Sequence, residues 1–144
     1  MTEDEAEAIL ALADEVRVGL ELATDEPAFR QDWRIRYAAE RIIERIFQAA
    51  SDLPTDRQAT YFGDAGFRAL RGMRNRLAHN YLDIDEDILW ESLSSELPEV
   101  NLRLTADAKD AKQMINRLLR DQAAETDLWD ATHLGPVGPD PNVE

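Results

Sequence analysis

The chain has 144 residues, 44% of them hydrophobic, no cysteine and a formal net charge of −14, which allows one domain with one core and excludes a chain disordered throughout. No run of about 18 apolar residues is present, so no membrane span is expected. A disulfide framework and a thiolate metal site are excluded by composition, zinc is disfavoured by two widely separated histidines, and no cofactor is called for.

Apolar residues recur at helical spacing throughout, with no glycine-punctuated β-pattern. The opening MTEDEAEA is acidic where a signal peptide is basic, so a cytoplasmic protein is the expectation. In it, Thr2 and Glu5 form a capping box for a first helix with Ile9, Ala13, Val16, Leu20 and Ala23 inward. The segment T-D-E-P breaks that helix, and Pro27 suits the first turn of a second. This second helix carries Phe29, Ile35, Ala38, Ile42, Ile46 and Ala49 inward and ends near Asp52-Leu53-Pro54. Residues 54–66, with Pro54, Gly63 and Gly66, are expected to be a loop.

A third helix starts near Phe67 and runs into R-N-R-L-A-H-N-Y, residues 74–81. In D-I-D-E-D-I, Asp85 reads as the cap of a fourth helix over 86–97, which meets Pro98. Thr105 is placed to cap a fifth, with Ala108, Ala111, Ile115, Leu118 and Leu119 on one side. The expected fold is an all-α, up-and-down bundle of four to five helices in one domain, residues 1–125, followed by a flexible tail, 126–144, rich in proline and glycine toward its end.

Charge is distributed unevenly. Residues 1–26 are net −8, residues 27–82 net +4 and residues 83–144 net −10, and all ten bases of the middle segment are arginine. Arginine makes planar, bidentate contacts with phosphates and carboxylates. Such a pattern suits ion pairs between helices, a basic partner for the acidic flanks, or a second copy of the chain.

On a helical wheel Leu70, Met73, Leu77 and Tyr81 share the core side, and Arg74 falls there too, whereas Arg68, Arg71, Asn75 and His79 line another face. A guanidinium on a buried stripe needs a partner. Candidates are Glu40 or Glu44, a substrate phosphate, or a second subunit. Arg74 and His79 lie about 140° apart on the wheel. They converge on one ligand only if the helix ends before His79 or a neighbouring subunit completes the site; Asn80 is a tolerable terminator. Arginine, asparagine and histidine together suit phosphodiester chemistry without a metal. Histidine exchanges a proton with a ribose 2′-hydroxyl or a leaving oxygen, and arginine stabilises charge on the phosphorus-bound oxygens.

The block G-M-R-N-R-L-A-H-N-Y, followed by L-D-I-D and the tryptophan-bearing D-I-L-W-E-S-L-S-S-E-L-P, resembles the HEPN superfamily, and within it the HepT-like toxin ribonucleases. The resemblance extends upstream through R-Y-A-A-E-R-I-I-E-R-I and covers roughly residues 29–100. It implies a homodimer or higher oligomer with the motif at a cleft between subunits, and metal-independent cleavage of RNA. Arg74 is then the phosphate clamp, His79 the acid and base, and Asn75 orients one of them, with Arg68, Arg71 and Arg76 as candidate RNA contacts. The resemblance further implies that a minimal nucleotidyltransferase antitoxin adds AMP to Tyr81 and blocks the site. The alternative is a non-catalytic module that binds nucleotide or substrate for such a nucleotidyltransferase. The chain departs from the family at Phe47-Gln48, where a glycine–glutamate pair is common, and at Phe67, where tryptophan is frequent.

Overall fold

Thr2 starts helix α1 (Glu3–Leu22) with both bonds of the capping box: Glu5 N–H donates to Thr2 Oγ1 at 3.1 Å, and Thr2 N–H to Glu5 Oε2 at 2.9 Å. The structure is a computed structural model and describes residues 1–79 and 85–134. Helix α2 (Glu26–Gln31) is capped by Asp25 and carries Pro27 in its first turn. The single long second helix is in fact two. Asp32 has extended backbone (φ −96°, ψ 106°), and its carboxylate caps helix α3 (Trp33–Ser51) through Arg34 N–H. Phe29 and Ile35 are six residues apart, some 240° out of phase, so one continuous helix cannot bury both on one stripe.

The expected loop at 54–66 is helical. Helix α4 (Thr55–His79) begins right after Pro54 and breaks at Gly63, which sits at φ 71° and ψ 162°. Its first two turns are fixed by distant groups. Arg57 Nη1 donates to Asp107 Oδ2 at 3.0 Å, the Tyr61 hydroxyl donates to the same oxygen, and Gln58 Nε2 donates to the carbonyls of Ala50 and Leu53.

Asp85 caps helix α5 (Glu86–Glu91) as expected. The chain then passes through one π-helical stretch, Ser92–Glu96, into helix α6 (Leu97–His133) without a break at Pro98. Pro98 has no N–H to donate into this continuous run, and the wide π stretch just before it accommodates its ring. Thr105 therefore caps nothing; its hydroxyl donates to the Asn101 carbonyl at 2.6 Å inside α6. Of the expected tail, residues 126–133 are the last turns of α6, a stretch without glycine or proline, and residues 135–144 lie outside the described residues.

These helices make an all-α bundle, with no strand among the described residues. Helix α1 packs against α3 and α6, and α4 packs against α3 and α6 on another side. Ile9, Leu12, Val16, Phe29, Ile46, Leu89, Leu93 and Leu104 are fully enclosed. Gly19 lets α1 approach closely: a Cβ there would lie 2.6 Å from Leu97 Cδ2 and 3.2 Å from Ile42 Cγ2.

Candidate functional site

The C-terminal half of α4 is apolar on a narrow stripe only. Leu77 is buried, Leu70 and Met73 are partly buried against the core, and Arg68, Arg71, Arg74, Asn75, Arg76 and His79 are all exposed. The buried placement of Arg74 is thus corrected. It lies on the flank of the stripe where α4 meets α3, and its long stem carries the guanidinium out to water. Neither expected carboxylate holds it. Glu44 is paired with Arg41 at 2.9 Å, and Glu40 makes no ion pair among the described residues. Burial, opposed by Arg36 and reinforced by Glu44, pushes the Glu40 carboxyl above its ordinary range.

Arg74 rests instead on an aromatic ring. Its guanidinium carbon lies 5.5 Å from the centroid of Phe47. Phe47 stacks on Phe67 with centroids 5.9 Å apart and planes at 20°. Arg71 covers Phe67 at 5.3 Å. The ladder Arg71–Phe67–Phe47–Arg74 uses both positions at which the chain departs from the HepT-like pattern. The signal in the sequence is the two unexpected aromatics, Phe47 and Phe67, in an arginine-rich segment. Arg74 Nη1 also donates to Asn75 Oδ1 at 3.4 Å, a long bond that links two of the three motif residues.

Arg74 opens onto a recess of about 500 Å³ shared with Glu15 of α1 and with Arg41, Glu44, Arg45 and Gln48 of α3. Two of its arginines are already neutralised, Arg45 by Glu15 at 2.6 Å and Arg41 by Glu44. The Arg45 guanidinium is held more firmly protonated by its hydrogen bond to Glu15. Among the described residues Arg74 has no carboxylate partner.

His79 is exposed and is the last residue of α4. The helix does not stop before it, so Arg74 and His79 are held about 7.5 Å apart along the axis and about 140° apart around it. Asn80 and Tyr81 lie outside the described residues. Arg68 and Arg71 border a separate open recess beside Gly63, so the arginines of α4 do not converge on one point.

A family model described as "Ribonuclease HepT-like" matches residues 9–106, which span the whole motif and both phenylalanines of the ladder. The chain belongs to the HepT-like ribonuclease family. Among its relatives, a Methanocaldococcus jannaschii protein named "Putative RNase MJ0125" is 30% identical over 105 residues, covering 73% of this chain and 89% of that one. A second from the same organism, "Putative RNase MJ1216", is 34% identical over 76 residues, 53% of this chain and 62% of its own length. "Probable ribonuclease HepT" of Thermococcus cleftensis is 28% identical over 98 residues, 68% of this chain and 84% of that one. No solved structure matches. The HepT-like match stops at residue 106, so the distal part of α6 lies outside the family span.

Proposed function

We propose that this HepT-like ribonuclease is a metal-independent endoribonuclease toxin that acts as a homodimer, with Arg74 of one copy and His79 of the other forming each site. The carrying observation is that Arg74 is exposed and has no ion-pair partner among the described residues, while His79 follows it five residues on in the same continuous stretch of helix, turned well away from it. A phosphate is the natural partner for the first group, and a second copy is the remaining way to bring the second one near it.

In this reading Arg74 binds the scissile phosphate and Asn75 holds the guanidinium. In the same site the His79 imidazole takes the proton of the ribose 2′-hydroxyl, whose oxygen attacks phosphorus, and the imidazolium so formed gives a proton to the 5′-oxygen as it leaves. The products are a 2′,3′-cyclic phosphate and a 5′-hydroxyl. Arg68, Arg71 and Arg76 are placed to hold flanking phosphates. Regulation follows the family pattern: a nucleotidyltransferase antitoxin transfers AMP from ATP to the Tyr81 hydroxyl, releasing pyrophosphate and placing an anionic group two residues from His79, where it repels RNA. The place of action is the cytoplasm; no described helix is long and apolar enough to cross a membrane.

The test is growth inhibition and RNA cleavage, in the presence of a chelator, by the wild type and by Arg74→Ala and His79→Ala. Both variants should fold and lose both activities, and cleavage by the wild type should leave cyclic phosphate ends. Toxicity retained in both variants sinks the proposal. Co-expression with the antitoxin should add the mass of one AMP to the peptide bearing Tyr81, and Tyr81→Phe should escape neutralisation.

A further inference from the structure

Large aromatic side chains are seldom left in water side by side. Trp33 and Tyr37, one turn apart at the start of α3, are 57% and 63% exposed and meet edge to face with centroids 5.3 Å apart. Trp90, by contrast, packs on the enclosed Phe29. Nothing in the core uses the Trp33–Tyr37 pair, and Asp32, which caps α3, fixes where the pair begins.

Trp33, Tyr37, Arg41, Glu44 and Gln48 fall within about 80° on the wheel of α3, so they form one stripe. Its far end, Arg41, Glu44 and Gln48, lines the recess onto which Arg74 opens. From Trp33 to Gln48 the stripe runs about 22 Å along the helix axis. Residues 33–48 carry four arginines against two glutamates, a basic stretch in an acidic protein. Arg34 and Arg41 are 74% and 66% exposed and hold their carboxylates only as surface pairs. Such pairs contribute little and are readily exchanged for phosphate.

We propose that Trp33 and Tyr37 are a stacking subsite for unpaired bases of single-stranded RNA, from which Arg41 leads the backbone to the scissile position at Arg74. The subsite rests on the ribonuclease reading above. Aromatic faces accept any base, and arginines beside them track the backbone, so the site selects unpaired RNA over duplex rather than a particular sequence. A second copy of the chain is a poorer occupant. A two-fold contact centred on the pair would bring the exposed Arg34 close to Arg34 of the other copy.

The experiment is binding of a fluorescein-labelled single strand of 2′-O-methyl nucleotides, which has no attacking hydroxyl, by the full-length wild type and by Trp33→Ala/Tyr37→Ala, with molecular mass measured in parallel. The double variant should bind the single strand roughly 10- to 100-fold more weakly. Its affinity for a duplex of the same length and its mass should be unchanged. Trp33→Phe/Tyr37→Phe, which keeps two rings, should hold affinity within a few-fold. Equal single-strand affinity of wild type and double alanine variant overturns the subsite alone. A double variant that falls to a smaller assembly assigns the face to contact between copies and overturns it as well. A wild type that binds no RNA overturns both the subsite and the ribonuclease reading.

Discussion

The guanidinium of Arg74 lies 5.5 Å above the ring of Phe47, and this contact, rather than an ion pair, is what orients the exposed arginine of the motif. A carboxylate at that distance would neutralise the charge that a phosphate must meet. An aromatic face attracts the cation through its quadrupole and leaves the formal charge and the N–H donors available.

Replacing Phe47 by leucine is therefore expected to disturb catalysis more than folding. Leucine keeps most of the apolar volume but removes the ring. The loss of an exposed cation–π contact is worth about 0.5–1 kcal/mol, or roughly a two- to fivefold fall in RNA cleavage. Phe47→Tyr, which keeps the ring, should cleave like the wild type. Parallel melting curves separate the two effects; a drop in melting temperature without a change in cleavage rate would show that Phe47 serves packing alone.

Two glycines of α4 should respond in opposite directions. Gly63 has φ 71° and ψ 162°, a region essentially closed to other residues, with open space around its Cα. Gly63→Ala is expected to cost about 1–3 kcal/mol through backbone strain alone. Gly72 is helical, and a Cβ there would meet nothing within 4 Å. Gly72→Ala should stabilise the isolated chain by about 0.4–1 kcal/mol, mainly by restricting the unfolded state. Chemical denaturation of both variants measures the contrast; a destabilising Gly72→Ala would mean that a second copy approaches α4 closely there.

Local chemistry was legible in the sequence, and long-range support was not. The Thr2–Glu5 box, Pro27 in the first turn of α2 and the Asp85 cap depend on neighbours within three residues, and all three form. The helical start of α4 depends on Asp107, whose contacts with Arg57 and Tyr61 span 50 and 46 residues, so Pro54 and Gly63 misled the reading toward a loop. The break at Asp32 was readable from the phase slip between Phe29 and Ile35. In the site, residue types pointed to a chemistry for Arg74, Asn75 and His79, but a wheel gives only direction. It does not give the width of the facing helix, and so it placed Arg74 inside rather than on the flank beside Phe47.

Tyr61 ties stability to alkaline pH. Burial first, and then its hydrogen bond to the Asp107 carboxylate, push its hydroxyl from 10.0 up to about 12. The fold thus favours the protonated phenol. Its contribution is fully present below about pH 10 and is lost as pH rises through 12. Tyr61→Phe should lower stability at neutral pH by about 1.5–3 kcal/mol, the range for a hydrogen bond to a charged group. It should also flatten the loss of stability between pH 10 and 12, measured by denaturation at a series of pH values.

Glu40 should behave in the opposite sense to a paired carboxylate. Burial raises its pKa, so the folded state prefers the neutral acid, and stability is lost as pH rises from the ordinary carboxylate range through the folded value. Arg36 opposes this shift and Glu44 adds to it. Glu40→Gln is expected to raise the melting temperature at neutral pH, and the gain should vanish in acid. A uniform change at all pH values would mean that packing, not charge, governs the position.

A composite site makes a sharp demand on mixed subunits. In a dimer of one Arg74→Ala chain and one His79→Ala chain, the site built from the second chain's Arg74 and the first chain's His79 is intact, and the other site lacks both groups. Equal co-expression makes about half of all dimers mixed, each with one working site of two, so about a quarter of wild-type cleavage should return. If each site drew both residues from a single chain, every subunit in the mixture would lack one of them and no activity would reappear. The measurement is cleavage by co-purified, differently tagged chains, beside each homodimer alone. The continuous course of α4 through His79 makes recovery the expected result, because no turn of the helix brings that imidazole back toward the Arg74 of its own chain.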